Sequence, residues 1–183
     1  MSSLTLRFPT RKFGWAFAGA KDFFQILCAS LFIAFCGRLE IPLFFSPVPI
    51  TMQTLAILMT GACLGSRKGV LAVLLLIGEG CLGLPVFMHG MGGFTHLLGP
   101  TGGYILGFIP QVALAGVLAD RKMNQAASCA LLMAACAVNL LMGALFLVPF
   151  VGMGSVFLKG MLPFIPGDMV KSLLVAKLVK GQK

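Results

Sequence analysis

Acidic residues are scarce in this chain. Five Asp and Glu stand against fourteen Lys and Arg in 183 residues, and charged residues of both signs make up only 10%. Tryptophan and tyrosine occur once each. A typical soluble domain carries about 25% charged residues. With 58% hydrophobic residues and a mean hydropathy of +1.00, this chain lacks the polar side chains to cover a water-facing surface. Long apolar runs broken by short basic clusters read as a polytopic, all-α membrane protein, because helices satisfy their own backbone polar groups inside lipid. The length fits one domain, 1–183, with a basic N-terminal segment at about 1–21.

Missing motifs exclude activities. No G-x-x-x-x-G-K-[ST] occurs, so the chain is not its own ATPase. G-x-S-x-G and H-E-x-x-H are also absent, and no nucleophile stands beside an orienting base, so an enzyme is not expected. There is no C-x-x-C; Cys28, Cys36, Cys63, Cys81, Cys129 and Cys136 all fall in apolar stretches. They read as small buried hydrophobes, not as disulfides or zinc ligands. His89 and His96 lack a supporting Cys or carboxylate cluster, so neither a metal nor a cofactor is expected. The net charge of +9 does not indicate nucleic acid, because the basic residues punctuate apolar segments and form no single face.

Six spans are expected, over Phe23–Ile41, Thr51–Gly65, Gly69–Phe87, Gly102–Ala119, Asn124–Val148 and about Gly167–Val179. The first follows a basic stretch but no small-residue cleavage site follows it, so it reads as a retained helix. With six spans, Arg7, Arg11, Lys12, Lys21, Arg67, Lys68, Arg121, Lys122, Lys177, Lys180 and Lys183 share one side, eleven of the fourteen Lys and Arg. The positive-inside rule then places both termini in the cytoplasm. The opposite links, IPLFFSPVPITM, PVFMHGMGGFTHLLGPTGG and VPFVGMGSVFLKGMLPFIPG, are rich in Gly, Pro and aromatics yet apolar. Two readings stand for them: lids over a cavity between helices, or interfacial packing with nothing beneath. Ser30 and Ala34, small residues four apart, allow another helix to approach, from within the chain or from another subunit.

Within this oily chain, Asp168 and Lys171 in FIPGDMVKSLLVAKL are conspicuous. A charge at the centre of a membrane helix costs about 2.5–3.5 kcal/mol on insertion scales, and residues at i and i+3 share one helix face. If Lys177 marks the cytoplasmic interface, the helical rise puts Asp168 about 14 Å away, near mid-membrane. The pair can present an acceptor and a donor to a polar solute; the structural alternative is an Asp168 that caps the helix and a Lys171 that neutralises it. Glu79 in LLLIGEGCLGLP either lines the cavity, pairs with Arg38 or Lys171, or stands protonated. GPTGGY, which contains Thr101, Gly102, Gly103 and Tyr104, opens helix four with exposed N–H groups and two hydroxyls. Gln53 in PVPITMQT offers both donor and acceptor.

FSPVPITMQTLAILMTGACLGSRKG, GLPVF, GPTGGYILGF and FIPGDMVK are, in order and spacing, similar to the BioY family, over roughly Ile41 to Lys180. That family comprises biotin-specific substrate-binding (S) components of energy-coupling factor (ECF) transporters. The resemblance implies six helices with both termini inside, a multi-pass location in the cytoplasmic membrane, and a biotin pocket that opens outside beneath the loops. It implies as partners a membrane coupling subunit and two cytoplasmic ATPase subunits. It maps biotin contacts onto Asp168, Lys171, Gln53 and the Gly99–Tyr104 segment, and coupling-subunit docking onto Ser30 and Ala34. Glu79 and Met88-His89-Gly90 depart from the family's pattern, with His89 a candidate for a polar ligand contact at that place. The chemistry fits: a cyclic urea has two N–H donors and one carbonyl, which Asp168 and either Lys171 or Gln53 can satisfy, and unpaired donors in a dry pocket are costly. Two alternatives stand: an S component for another vitamin, and a membrane scaffold without a small ligand.

Overall fold

The computed structural model describes residues 19–121 and 123–180. Most of the basic N-terminal segment, with Arg7, Arg11 and Lys12, lies outside them, as do Lys122, Lys183 and the side chain of Lys180. Helix α1 runs Ala20–Gly37, α2 Gln53–Cys81, α3 Thr95–Leu98, α4 Gly102–Asp120, α5 Gln125–Val151, α6 Met153–Val156 and α7 Ile165–Lys180. A short antiparallel pair, β1 Glu40–Ile41 and β2 Ile50–Thr51, joins α1 to α2. A π-helical turn, Phe157–Met161, follows α6.

Helix α2 is two helices folded back on each other. Gly65 breaks it with φ 82° and ψ 167°, a left-handed region open to glycine. Gly61 and Gly69 would lie about 12 Å apart along a straight helix. Here a Cβ on Gly69 would sit only 3.4 Å from the Gly61 Cα. The two expected spans on either side of Gly65 correspond to the arms 53–64 and 66–81. The basic pair Arg67 and Lys68, expected in a link, instead lies in the first turn of the second arm, and this arm ends at Cys81, short of the expected Phe87. Lys68 reaches back to α1, donating to Asp22 Oδ1 at 2.6 Å and Gln25 Oε1 at 2.5 Å.

Small residues let the helices meet. A Cβ on Gly61 would fall 2.7 Å from the Val112 carbonyl oxygen, and one on Gly116 would collide with the Ser66 backbone. Ser66 Oγ donates to the Ala113 carbonyl at 2.7 Å across the same seam. Lipid is as apolar as leucine, so close backbone approach, not water exclusion, holds such helices together. One core cluster joins Ile33 of α1, Ile57 and Leu76 of α2 and Val112 of α4. A second joins Leu58, Ala115, Leu132 and Val175 from α2, α4, α5 and α7. The outer faces are apolar: Phe24 and Phe35 on α1, Leu141 and Leu145 on α5, and Val170 and Leu174 on α7 are exposed. Among the described residues four helices, α1, α2, α4 and α5, are long and apolar enough to cross a membrane. All six cysteines are free, and Cys28 and Cys63 face outward with these apolar side chains, unlike the buried cysteines expected.

The third expected outer loop is largely helical. α5 continues through Pro149 to Val151, Gly152 (φ 80°) ends it, and α6 and the π turn fill the way to α7. The loop after α2 is clamped to the end of α1. Arg38 Nη2 donates to the Pro85 carbonyl at 2.7 Å, and Glu40 takes His89 through its backbone N–H at 3.2 Å and its Nδ1 at 2.5 Å.

Candidate functional site

Helix α7 starts with Pro166 in its first turn, where a missing N–H is harmless. The Asp168 N–H donates to the Phe164 carbonyl at 2.9 Å, so Asp168 lies inside the helix and is not its cap. Three residues on, Lys171 projects from the same face. Both side chains are buried, and Lys171 Nζ lies 3.7 Å from Asp168 Oδ1.

An ammonium has three N–H donors. Lys171 spends two where β2 runs into α2, on the Thr51 carbonyl at 2.8 Å and Thr54 Oγ1 at 2.7 Å. Asp168 Oδ1 is the charged neighbour of the third, at 3.7 Å. The positive charge stays beside the carboxylate while α7 is fastened to the first arm of α2.

These groups border a cleft of about 50 Å³ between the N-terminal parts of α2, α4 and α7 and the middle of α5. Such a volume holds about three or four waters. Asp168, Lys171, Thr51, Gln53, Thr54 and Asn139 supply its polar wall, and Phe87, Phe108 and Phe164 its aromatic one. A larger open groove between α5 and α7, lined by Ala126, Cys129, Met133, Met169 and Leu173 beside Gln125, is overwhelmingly apolar and has no ion pair.

The expected site residues separate into two groups. Asp168, Lys171, Gln53, Thr101 and Tyr104 converge on the cleft. Gln53 is buried, its amide lies over Gly37 of α1, and its Nε2 has no hydrogen-bond partner. The Tyr104 ring rests on Gly143, where any Cβ would strike it, and its hydroxyl donates to the Gly160 carbonyl at 2.6 Å. Ser46 Oγ donates to the neighbouring Lys159 carbonyl at 2.7 Å. A π turn leaves carbonyls without their usual i+4 partners, and these two hydroxyls take two of them. The loop between β1 and β2 and the wall of α4 are thereby latched to the cover over α7.

The remaining expectations are corrected by geometry. Gly102 and Gly103 do not line the cleft; they let α4 start against the Leu97 carbonyl and against Phe146 of α5, where side chains would collide. His89 is exposed, stands in the left-handed region at φ 54°, and is held outside the cleft by Glu40. Its neighbour Met88 lines the cleft instead. Glu79 is drawn to α1, where its Oε2 accepts from Ser30 Oγ at 2.7 Å. Ser30 is 0% exposed, and Ala34 packs on the core between α1 and α2. Ser30 therefore seals an internal helix contact and offers no surface to a second subunit.

Sequence reading missed Thr54 and Asn139. Thr54 directly follows Gln53, and its bond to Lys171 spans 117 positions. Asn139 stands alone in the apolar run of α5 and is 2% exposed. A buried amide in a membrane helix needs a partner, which is a usable signal.

Comparison with known proteins gives a single family. The model of the BioY family matches residues 7–183. The chain is 35% identical over 161 residues to the probable biotin transporter BioY of Pyrococcus horikoshii, covering 86% of this chain and 96% of that protein. It is 35% identical over 159 residues to the biotin transporter BioY of Thermotoga maritima, covering 85% and 92%. Its structure is similar, at TM-score 0.81 and 27% identity, to the crystal structure of the S-component for biotin from an ECF-type ABC transporter, covering 91% of this chain and 94% of that one. The chain belongs to the BioY family.

Proposed function

We propose that this chain is the biotin-binding S component of an ECF-type transporter and serves biotin uptake. The observation that carries the reading is the buried Asp168–Lys171 pair at the wall of an otherwise largely apolar cleft. Asp168 accepts from a ureido N–H. The ureido carbonyl lies toward the Lys171 ammonium, and Gln53 completes the polar wall beside it. Phe87, Phe108 and Phe164 border the place of the bicyclic body, and the cleft of about 50 Å³ widens to admit it.

The chain forms one membrane-embedded domain. Six crossings, supplied by α1, the two arms of α2, α4, α5 and α7, keep both termini in the cytoplasm. Arg67, Lys68, Arg121 and Lys177 then lie on the inner side, and the cleft opens outward beneath the β1–β2 loop. The setting is the cytoplasmic membrane. The chain has no phosphate-binding loop, so energy comes from partners: a membrane coupling subunit and two cytoplasmic ATPase subunits. The chain itself performs no catalysis, and biotin is cargo, with no resident cofactor.

Equilibrium binding of radiolabelled biotin to the purified chain tests the reading, with unlabelled desthiobiotin and unrelated vitamins as competitors. Desthiobiotin, which keeps the urea, competes; vitamins without a urea do not. Binding of another vitamin in preference to biotin would contradict it.

A further inference from the structure

A second recess lies on the outside of the bundle, the apolar groove of about 560 Å³ between α5 and α7. Ala126 and Ala130 of α5 are exposed along it, with Met169 and Leu173 of α7 on the other wall. Elsewhere the outer surface projects large side chains: Phe24 and Phe35 on α1, Leu141 and Leu145 farther along α5. Small residues on one wall leave a furrow into which a neighbour can settle closely.

The length of the furrow says what settles there. On α5 it runs from Gln125 to Met133, about 12 Å at the helical rise. Half of a hydrocarbon core is about 15 Å. The groove therefore occupies one leaflet, and Leu141 and Leu145 project from α5 beyond it. A membrane-spanning helix, from a partner or from a second copy, would need a furrow about twice as long.

One end of the furrow is charged. Met169, Leu173 and Lys177 follow at i, i+4 and i+8 and share a stripe of α7. The first two line the groove, and Lys177, exposed, continues the stripe past it. A lysine there lays its stem on apolar surface and lifts its ammonium to the headgroup layer. Arg121, in the link that leads into α5, already has a partner within the protein. An apolar furrow one leaflet long with a cation at its mouth matches the two chemistries of an anionic phospholipid, an acyl chain and a phosphate.

We propose that the groove between α5 and α7 binds one anionic phospholipid, with an acyl chain along Ala126, Ala130, Met133 and Leu173 and its phosphate at Lys177. The buried face of α7 carries Asp168 and Lys171, so the lipid backs the helix that bears the ion pair. That the leaflet is the cytoplasmic one rests on the orientation proposed above; the site itself does not.

The test is native mass spectrometry of the full chain in detergent with phosphatidylglycerol and phosphatidylcholine of matched chains, alongside thermal unfolding. Wild-type protein retains one phosphatidylglycerol in preference to phosphatidylcholine by about fivefold, the worth of one lysine near an anionic headgroup. Free glycerol 3-phosphate neither binds nor shifts the unfolding midpoint. Ala130→Phe fills the furrow and loses both lipids; Ala130→Leu gives the same loss if the phenylalanine variant does not fold. Lys177→Gln keeps a lipid and loses the preference. Equal retention of the two lipids by wild-type protein, the mark of ordinary boundary lipid, overturns the proposal. So does phosphatidylglycerol held by the Ala130 variants or preferred by Lys177→Gln as in wild type, and so does glycerol 3-phosphate that binds as well as the lipid. A dimer that Ala130→Phe splits would put a second copy in the groove and overturn it too. None of these outcomes depends on biotin or on which leaflet the groove faces.

Discussion

Lys171 Nζ lies 2.7 Å from Thr54 Oγ1, a bond between residues 117 positions apart that ties the last helix to the first arm of α2. The same ammonium sits 3.7 Å from Asp168 Oδ1. One side chain thus performs two tasks, positioning α7 and balancing a buried carboxylate. Removing one partner of a buried pair leaves an uncompensated charge, at a cost of about 3–5 kcal/mol. Lys171→Met, which keeps the apolar stem, should lower the thermal unfolding midpoint and weaken biotin binding more than tenfold. Thr54→Val should lower the midpoint too, by about 0.5–1.5 kcal/mol of hydrogen bonding, while leaving the charge pair in place. Thermal unfolding in detergent alongside calorimetry separates the two.

The hydroxyl latches make a kinetic prediction. Ser46 and Tyr104 fasten the π turn that leads into α7, and Tyr104 and Asp168 both line the cleft. Ser46→Ala and Tyr104→Phe each remove one bond worth about 0.5–1.5 kcal/mol and preserve the apolar wall. Each should speed biotin release about two- to tenfold, read by stopped-flow displacement of labelled biotin, and the double variant should exceed either single one.

The fold-back of α2 depends on a side chain that is absent. Gly61→Val would place a Cβ 2.7 Å from the Val112 carbonyl oxygen, against backbone that cannot give way. Overpacking of this kind costs about 1–3 kcal/mol. Gly78→Ala, at a position where a Cβ meets nothing within 4 Å, is the control. Unfolding midpoints should fall for the first and stay put for the second.

Residues outside the cleft should be quiet. His89→Ala breaks the clamp to Glu40 but touches no cleft wall. Glu79→Gln keeps a partner for Ser30. Biotin affinity in either variant should change less than threefold by calorimetry.

The sequence made some of this legible for physical reasons. Asp168 and Lys171 share a face because the helical period brings i and i+3 together, and an acid and a base in an oily helix cannot go unpaired. Gly65, just ahead of Arg67 and Lys68, marked where the chain turns back. The Thr54 and Thr51 partners of Lys171 were hidden, because contacts across more than a hundred residues leave no local period. His89 misled because a histidine in a glycine-rich loop says nothing about which carboxylate will take it, and Glu40 lies 49 positions away. Ser30 was read as a possible docking surface because small-residue spacing shows that a helix can approach, not which one does. Asn139 was legible as an amide in an apolar run, but nothing local showed that Gly107 of α4 would pack against it.

The central claim, that Asp168 anchors biotin inside the bundle, is tested most directly by the affinity of Asp168→Asn against wild-type protein. An amide of the same shape loses the charge and half of the acceptor capacity. A charge-assisted hydrogen bond of about 1.5–3 kcal/mol predicts a dissociation constant raised roughly 10- to 100-fold, with the chain still folded. Biotin binding of unchanged affinity in Asp168→Asn would contradict it.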